Sequence, residues 1–75
     1  MNKSRRATLN MIANSLVELK SQLEIVRDDE QDAYDNLPES IQESERGDTM
    51  QEAVDNMEYA IDSLEEAVDY LNEVF

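Results

Sequence analysis

Paired carboxylates are the residues of this chain whose type and spacing could support chemistry. Glu52 with Asp55, and Glu66 with Asp69, have the E-x-x-D spacing that can hold magnesium for nucleotide hydrolysis. Such a site also needs a shaped pocket, and a nucleotide needs nearby cations to hold its phosphates. Both pairs follow from a seven-residue repeat that turns them outward, and no lysine or arginine follows Arg46. A magnesium-dependent nucleotide pyrophosphatase is therefore the weakest functional hypothesis.

The residue inventory excludes most other site chemistry. The 75 residues include no cysteine and no histidine, which excludes a disulfide framework, a zinc site and thiol or imidazole catalysis. We predict a protein that is not an enzyme and uses no cofactor or metal. Lysine and arginine total 6 against 19 aspartates and glutamates, a net charge of -13, which argues against direct binding to nucleic acid or a membrane. No apolar run approaches the roughly 20 residues that cross a bilayer, and the expected location is cytoplasmic.

The acidic residues of the second half form two ordered rows. The seven-residue repeat places successive aspartates about 10 Å apart along a helix, with glutamates in the neighbouring row. These acidic rows consist of Asp55, Asp62 and Asp69 and of Glu58 and Glu65. They are a candidate partner-binding face, and such an anionic rod could imitate the DNA backbone in the basic groove of another protein. The alternative is a solvated face that keeps a small helical protein dissolved.

Apolar residues recur at alternating steps of three and four along both halves of the chain, which is typical of packed helices. In the first half the predicted seam positions are Leu9, Ile12, Leu16, Leu19, Leu23, Val26, Glu30, Ala33 and Leu37. In the second half they are Met50, Val54, Met57, Ile61, Leu64, Val68, Leu71 and Phe75. These series predict a first helix over about residues 5–36, capped by Ser4, and a second over about residues 49–75, capped by Asp48 with Gln51.

The segment between the two series predicts a chain reversal. Pro38 disfavours helical geometry at the preceding residue, and Gly47 comes just before the second helix. We expect Leu37 and Ile41 to close the end of the structure over a turn at residues 37–48. The first 27 residues hold five basic and two acidic residues, whereas the remainder hold one basic and 17 acidic, so antiparallel pairing sets opposite charges side by side. We predict an all-α antiparallel helical hairpin forming one domain over residues 1–75.

The apolar residues outnumber those that one helix pair can bury. Three alanines recur every seven residues beside the second seam, and further apolar residues flank the first seam on both sides. The candidate self-association residues are Met11, Val17, Ile25, Ala53, Ala60 and Ala67. Apolar surface left in water costs about 25 cal/mol per Å², so we predict that two hairpins dimerise into a four-helix bundle. The sequence does not distinguish a dimer from a higher oligomer.

The segment AYDNLPESIQESERG at residues 33–47, followed by an acidic heptad helix, resembles a family of small acidic helical proteins, mostly uncharacterised, of bacterial genomes and prophages. The resemblance covers about residues 26–70. It implies a bacterial or phage protein inside the cell, but no activity or catalytic residue. The connection is longer than the about 2–8 residues usual between packed helices, so it is a second candidate partner contact, unless it only closes the bundle. The residues of this candidate contact are Asn36, Pro38, Glu39 and Arg46.

These features together predict a non-enzymatic acidic helical protein-binding module that self-associates. The expected partners are a second copy of the chain and a protein of the host or of a mobile element. The first alternative is a DNA mimic that inhibits a nucleic-acid-binding or defence enzyme of the host.

Overall fold

The structure is a computed structural model, and it describes residues 1–74. These residues form two long helices joined through one short helical turn. Helix α1 is Lys3–Asp35, α2 is Glu39–Gln42 and α3 is Glu45–Asn72. The prediction of an all-α protein is confirmed. Phe75, the last residue of the predicted second seam, lies outside the described residues. Helix α1 is long because residues 3–35 contain neither glycine nor proline, the two residue types that most weaken a helix interior.

Helix α1 begins two residues earlier than predicted, and Ser4 is not its cap. Asn2 has extended backbone geometry, and its side-chain oxygen accepts a hydrogen bond from the backbone N–H of Arg5 at 2.8 Å. Asparagine is as good an N-cap as serine because its short side chain reaches the same unpaired donors. Ser4 instead lies inside α1, where its carbonyl accepts a hydrogen bond from the Thr8 hydroxyl at 3.1 Å.

The length of the connection requires that α1 and α3 run in opposite directions. Helix α1 has 33 residues and is therefore about 50 Å long. The nine residues 36–44 between the helices span at most about 32 Å when fully extended, and part of them is helical. Helix α3 therefore cannot start beside the beginning of α1. The result is an antiparallel hairpin measuring 58 × 14 × 12 Å.

Side chains stabilise the turn by donating hydrogen bonds to backbone carbonyls. Pro38, with φ of -56°, stands at the N-cap of α2 rather than inside it. The side-chain amide of Gln42 donates a hydrogen bond to the carbonyl of Tyr34 at 3.0 Å, and the Ser44 hydroxyl donates to the carbonyl of Ile41. Leu37 is half-buried, as is Ile41. The predicted reversal at residues 37–48 is shorter than expected, because α3 starts at residue 45.

Helix α3 begins four residues before its predicted start at 49, so Gly47 is not a turn residue. Ser44 is its N-cap, without a side-chain hydrogen bond to the helix, and Asp48 lies within its first turn. Gly47 is buried and its φ is not positive, so backbone freedom does not explain the glycine. A Cβ atom there would lie 2.8 Å from the Cα of Gln42 and closer still to its carbonyl. Only glycine lets the start of α3 pack this tightly against the end of α2.

The predicted seam of α3 is confirmed over the described residues. Val54 and Ile61 are buried, with 3% and 5% of their surface exposed. The half-buried members of this seam are Met50, Met57, Leu64, Val68 and Leu71.

The predicted seam of α1 is wrong at every second position. The half-buried residues that were predicted correctly are Leu9, Leu16, Leu23, Glu30 and Leu37. Between them the structure places Ala13, which is buried, and three half-buried residues with polar groups: Lys20, Arg27 and Tyr34. The residues predicted at those alternate positions, which are all exposed, are Ile12, Leu19, Val26 and Ala33. Helix α1 is therefore turned by about half the angle between neighbouring residues relative to the prediction.

Candidate interaction surfaces

The rotation of α1 brings its cations against the acidic helix. The Lys20 ammonium lies 3.6 Å from a carboxylate oxygen of Glu24 and 3.9 Å from one of Glu65 on α3. Arg27 pairs with Asp28 at 2.9 Å. Both basic side chains are only 26% exposed, because their aliphatic stems cover the seam while their charged heads reach water and carboxylates. Lys20 and Arg27 thus occupy seam positions of α1 where apolar side chains would also fit.

The same rotation leaves an apolar stripe of α1 in water. Ile12, Leu19 and Val26 are 44%, 52% and 55% exposed. Each of them immediately precedes a seam residue, as Ala53, Ala60 and Ala67 do on α3. We call these six residues the apolar flank: Ile12, Leu19, Val26, Ala53, Ala60 and Ala67.

The two halves of the apolar flank lie on one side of the hairpin. A half-turn that exchanges two antiparallel helices maps each side of the pair onto itself, so equivalent heptad positions of α1 and α3 share a side. The ion pairs follow the same rule on the opposite side, where Glu24 and Glu65 are equivalent positions and both meet Lys20. The apolar flank is therefore a continuous surface built from both helices.

The rows that border the apolar flank carry no charge along its length. The bordering positions are Ser15 and Gln22 on α1 and Asn56 and Ser63 on α3. All four are exposed. A surface without charged side chains is unusual in a chain of which 33% of the residues are charged, and uncharged surface of this kind is typical of the core of an interface.

The sequence-predicted self-association residues divide between different surfaces. Met11 and Ile25 are 69% and 62% exposed, and they lie on the outer side of α1, away from α3. Val17 is also exposed, but it lies on the side of the Lys20 ion pairs. Of the alanines, Ala60 is exposed whereas Ala53 and Ala67 are half-buried. Sequence reasoning missed Ile12, Leu19 and Val26 as surface residues because it assigned them to the seam. The available signal was a second row with the same seven-residue spacing, formed by Ala13, Lys20 and Arg27.

All five residues of the acidic rows are exposed. Asp55, Asp62 and Asp69 follow the seam residues Val54, Ile61 and Val68, so they lie on the side opposite the apolar flank. Among residues 1–74, no three carboxylates come close enough together to hold a metal ion. The hairpin therefore has one neutral apolar side and one acidic side.

The turn residues proposed as a partner contact are exposed as well, namely Asn36, Pro38, Glu39 and Arg46. They do not share one element: Asn36 ends α1, Pro38 caps α2, and Arg46 lies in the first turn of α3. The structure brings all four to the same end of the hairpin.

No helix within residues 1–74 combines the length and apolar character needed to span a membrane. Comparison of the chain with protein-family models, with curated proteins and with solved structures finds no match.

Proposed function

We propose that this protein is a non-enzymatic, acidic protein-binding module of the cytoplasm that self-associates through the apolar flank and offers its acidic rows to another protein. The observation that carries the proposal is the division of the exposed surface into a neutral apolar side and a carboxylate-covered side. Self-association buries the first and leaves the second in water, so that one chain serves both contacts.

The dimensions of the flank side suit a second hairpin. Helix α3 has 28 residues, about 42 Å of helix, and two packed helices are about 18 Å across. The side therefore offers about 750 Å², close to the about 800 Å² that each partner contributes to a standard interface. A four-helix bundle made of two hairpins gives each helix two neighbours, which matches a helix with an apolar flank beside its apolar seam.

Sedimentation equilibrium at about 0.15 M salt tests the self-association. We expect twice the 8.6 kDa mass of the chain at tens of micromolar. A mass of one chain under these conditions would contradict self-association.

A pair of matched variants tests the surface. Leu19→Glu and Ile25→Glu make the same chemical change at exposed sites of α1, but only Leu19 belongs to the apolar flank. We expect Leu19→Glu to sediment as a single chain, because a carboxylate would be buried without a partner, and Ile25→Glu to keep the wild-type mass. A dimeric Leu19→Glu protein would place the interface elsewhere.

The acidic rows are the proposed contact with a partner protein. Replacing Asp55, Asp62 and Asp69 together by asparagine removes three charges without changing side-chain size. The matched control replaces Glu52, Glu66 and Glu73, which are exposed on the outer row of α3 and at its C-cap, by glutamine. We expect only the first variant to lose the proteins that the wild-type chain captures from a bacterial lysate; equal loss in both would indicate a general charge effect.

A DNA mimic that inhibits a nucleic-acid-binding or defence enzyme is the second candidate. It is favoured by the repeat of the aspartates, which are about 10 Å apart on a straight helix, and by the lack of lysine and arginine after residue 46. Such partners should be released by added duplex DNA and by salt. Their binding to either polyanion, the acidic rows or DNA, is favoured by the release of counterions. Partners that DNA does not displace would exclude mimicry and leave the binding-module proposal in place.

A further inference from the structure

The two ends of the hairpin differ sharply in charge. The turn end, residues 28–48, holds nine acidic residues and one basic residue, a net charge of -8. The open end combines the start of α1 with the end of α3. Residues 1–17 hold three basic and no acidic residues, and residues 65–74 hold four acidic and no basic residues, a net charge of -1.

The cations of the open end form no ion pair within the described chain. Over residues 1–74 the ion pairs involve Lys20 and Arg27 only. Lys3, Arg5 and Arg6 are exposed. Although antiparallel pairing was expected to set them beside carboxylates of the second helix, residues 1–8 are all exposed, and Leu9 is the first residue of α1 that is half-buried.

One of these cations stands in line with the apolar flank. Arg5 precedes Ile12 by seven residues, so it continues the row of Ile12, Leu19 and Val26 toward the open end. At the turn end, Asp29 continues the bordering row of Ser15 and Gln22. The flank side is thus neutral in its middle and positive on α1 at the open end. At the turn end it carries Asp29 on α1 and Arg46 on α3, because Arg46 precedes Ala53 by seven residues. Only the α1 part of that end is therefore negative on the flank side.

We propose that the second copy docks on the apolar flank with its direction reversed, so that the turn ends of the two hairpins lie at opposite ends of the bundle and Arg5 of each copy meets the acidic turn end of the other. This inference rests on the proposed self-association. A parallel arrangement would set two turn ends of charge -8 side by side, whereas the reversed one sets each beside an open end of charge -1. Screening does not remove the difference, because charges in contact are closer than the Debye length of about 8 Å.

Residue spacing is consistent with a contact between Arg5 and the region of Asp29. Arg5 and Ala33 each lie 14 residues from Leu19, about 21 Å along the helix. A two-fold axis near Leu19 therefore brings Arg5 of one copy to the level of Ala33 in the other, one helical turn from Asp29.

Spin labels at single cysteines test the direction, and the chain has no native cysteine to interfere. Ser4→Cys and Ser40→Cys place labels at exposed sites of the open end and the turn end. In a mixture of the two labelled proteins we expect a short distance, under about 25 Å, between labels at Ser4 and Ser40. Ser40→Cys alone should show about 50 Å. A short distance within Ser40→Cys alone would overturn the reversed arrangement.

Two charge reversals test the role of Arg5. Arg5→Glu and Lys3→Glu each change the net charge by -2, but Lys3 lies on the opposite side of α1 from the flank row. We expect Arg5→Glu to weaken self-association by about threefold more than Lys3→Glu, as measured by the dissociation constant from sedimentation, because a partly exposed ion pair is worth less than about 1 kcal/mol. Equal weakening by both would overturn the Arg5 contact.

The outcomes separate this inference from the proposed function. A wild-type chain that sediments as one hairpin removes both. Alternatively, Leu19→Glu dissociates the dimer while the labels at Ser40 show the two turn ends side by side. That result would retain the proposed function and remove only the reversed arrangement.

Discussion

Helices α1 and α3 share the same seven-residue apolar spacing, but they use it differently. The seam of α3 is formed by the apolar residues that the spacing indicates, with Val54 and Ile61 at its centre. The seam of α1 alternates leucines with Lys20 and Arg27, and it leaves Leu19 and Val26 in water. The difference teaches that a heptad pattern determines the register of a helix only when one face is clearly more apolar than its neighbours.

The two candidate faces of α1 are similarly apolar, so its apolar spacing alone does not determine which of them packs against α3. Turning α1 toward Lys20 and Arg27 places cation stems beside a helix whose charged residues after Arg46 are all acidic. Helix α3 has no comparable second choice, since the residues beside its seam are alanines on one side and carboxylates on the other.

The largest effect is expected at the start of α3. Gly47→Ala introduces a Cβ that would lie 2.8 Å from the Cα of Gln42, so the turn must shift even though alanine is the better helix former. We expect a loss of about 3 kcal/mol of unfolding free energy, measured by urea denaturation followed by circular dichroism. Thr49→Ala, at an exposed site in the same helix, is the control and should change stability by less than about 0.5 kcal/mol. An unaffected Gly47→Ala protein would contradict the close approach of α2 and α3.

Two valines compare the seam of α3 directly with the exposed stripe of α1. Val54→Ala removes two methyl groups from a residue that is 3% exposed, and Val26→Ala removes the same groups from one that is 55% exposed. We expect Val54→Ala to cost about 2 kcal/mol. Val26→Ala should be close to neutral for the unfolding of the hairpin at low protein concentration, where self-association does not contribute. Equal costs would mean that Val26 belongs to the seam, as the sequence alone predicted.

The start of α1 offers a smaller test. Asn2→Ala removes the side-chain acceptor for the N–H of Arg5 and should cost about 1 kcal/mol, visible as a lower thermal midpoint. Ser4→Ala, at the residue predicted to be the cap, should be nearly neutral. The reverse order of effects would show that α1 starts at Ser4 after all.

The smallest effect is expected at the charged seam of α1. Lys20→Glu replaces the cation near Glu24 and Glu65 by a third carboxylate, and we expect a loss of about 0.5 kcal/mol, since surface ion pairs are weak. Lys20→Met retains a long apolar stem and should preserve stability to within the same amount. The difference between the two variants should shrink in high salt as the charges are screened. Identical stabilities at low salt would place Lys20 away from the acidic helix.

Sequence reasoning reached the coarse fold through particular residues. Pro38 and the break in apolar spacing predicted a reversal, and the reversal is present, although α3 starts at residue 45. The sequence predicts Gly47 in the turn before the second helix, whereas the structure places it inside α3, where the missing side chain leaves space for Gln42. A sequence shows that a glycine is present, but not which backbone approaches it.

The candidate surfaces were only partly predictable. The acidic rows follow from the repeat of α3 and are exposed as expected. For self-association the sequence predicts Met11, Val17 and Ile25 together with the alanines, and only the alanines belong to the apolar flank. On α1 the choice between flank and seam depends on which neighbour the helix packs against. The spacing of residues within α1 carries no information about how α3 packs against it.

By itself the sequence determined two helices, the reversal between them and the acidic face, because periodicity, helix-breaking residues and charge act over a few residues along the chain. Only the tertiary structure decided which stripe of α1 is buried and which remains in water. The physical reason is burial between residues far apart in the chain. Against α3, helix α1 buries Ala13 and the stems of Lys20 and Arg27. The weak ion pair of Lys20 with Glu65, 45 positions away, accompanies this packing. The side that remains in water therefore carries Ile12, Leu19, Val26, Ala53, Ala60 and Ala67.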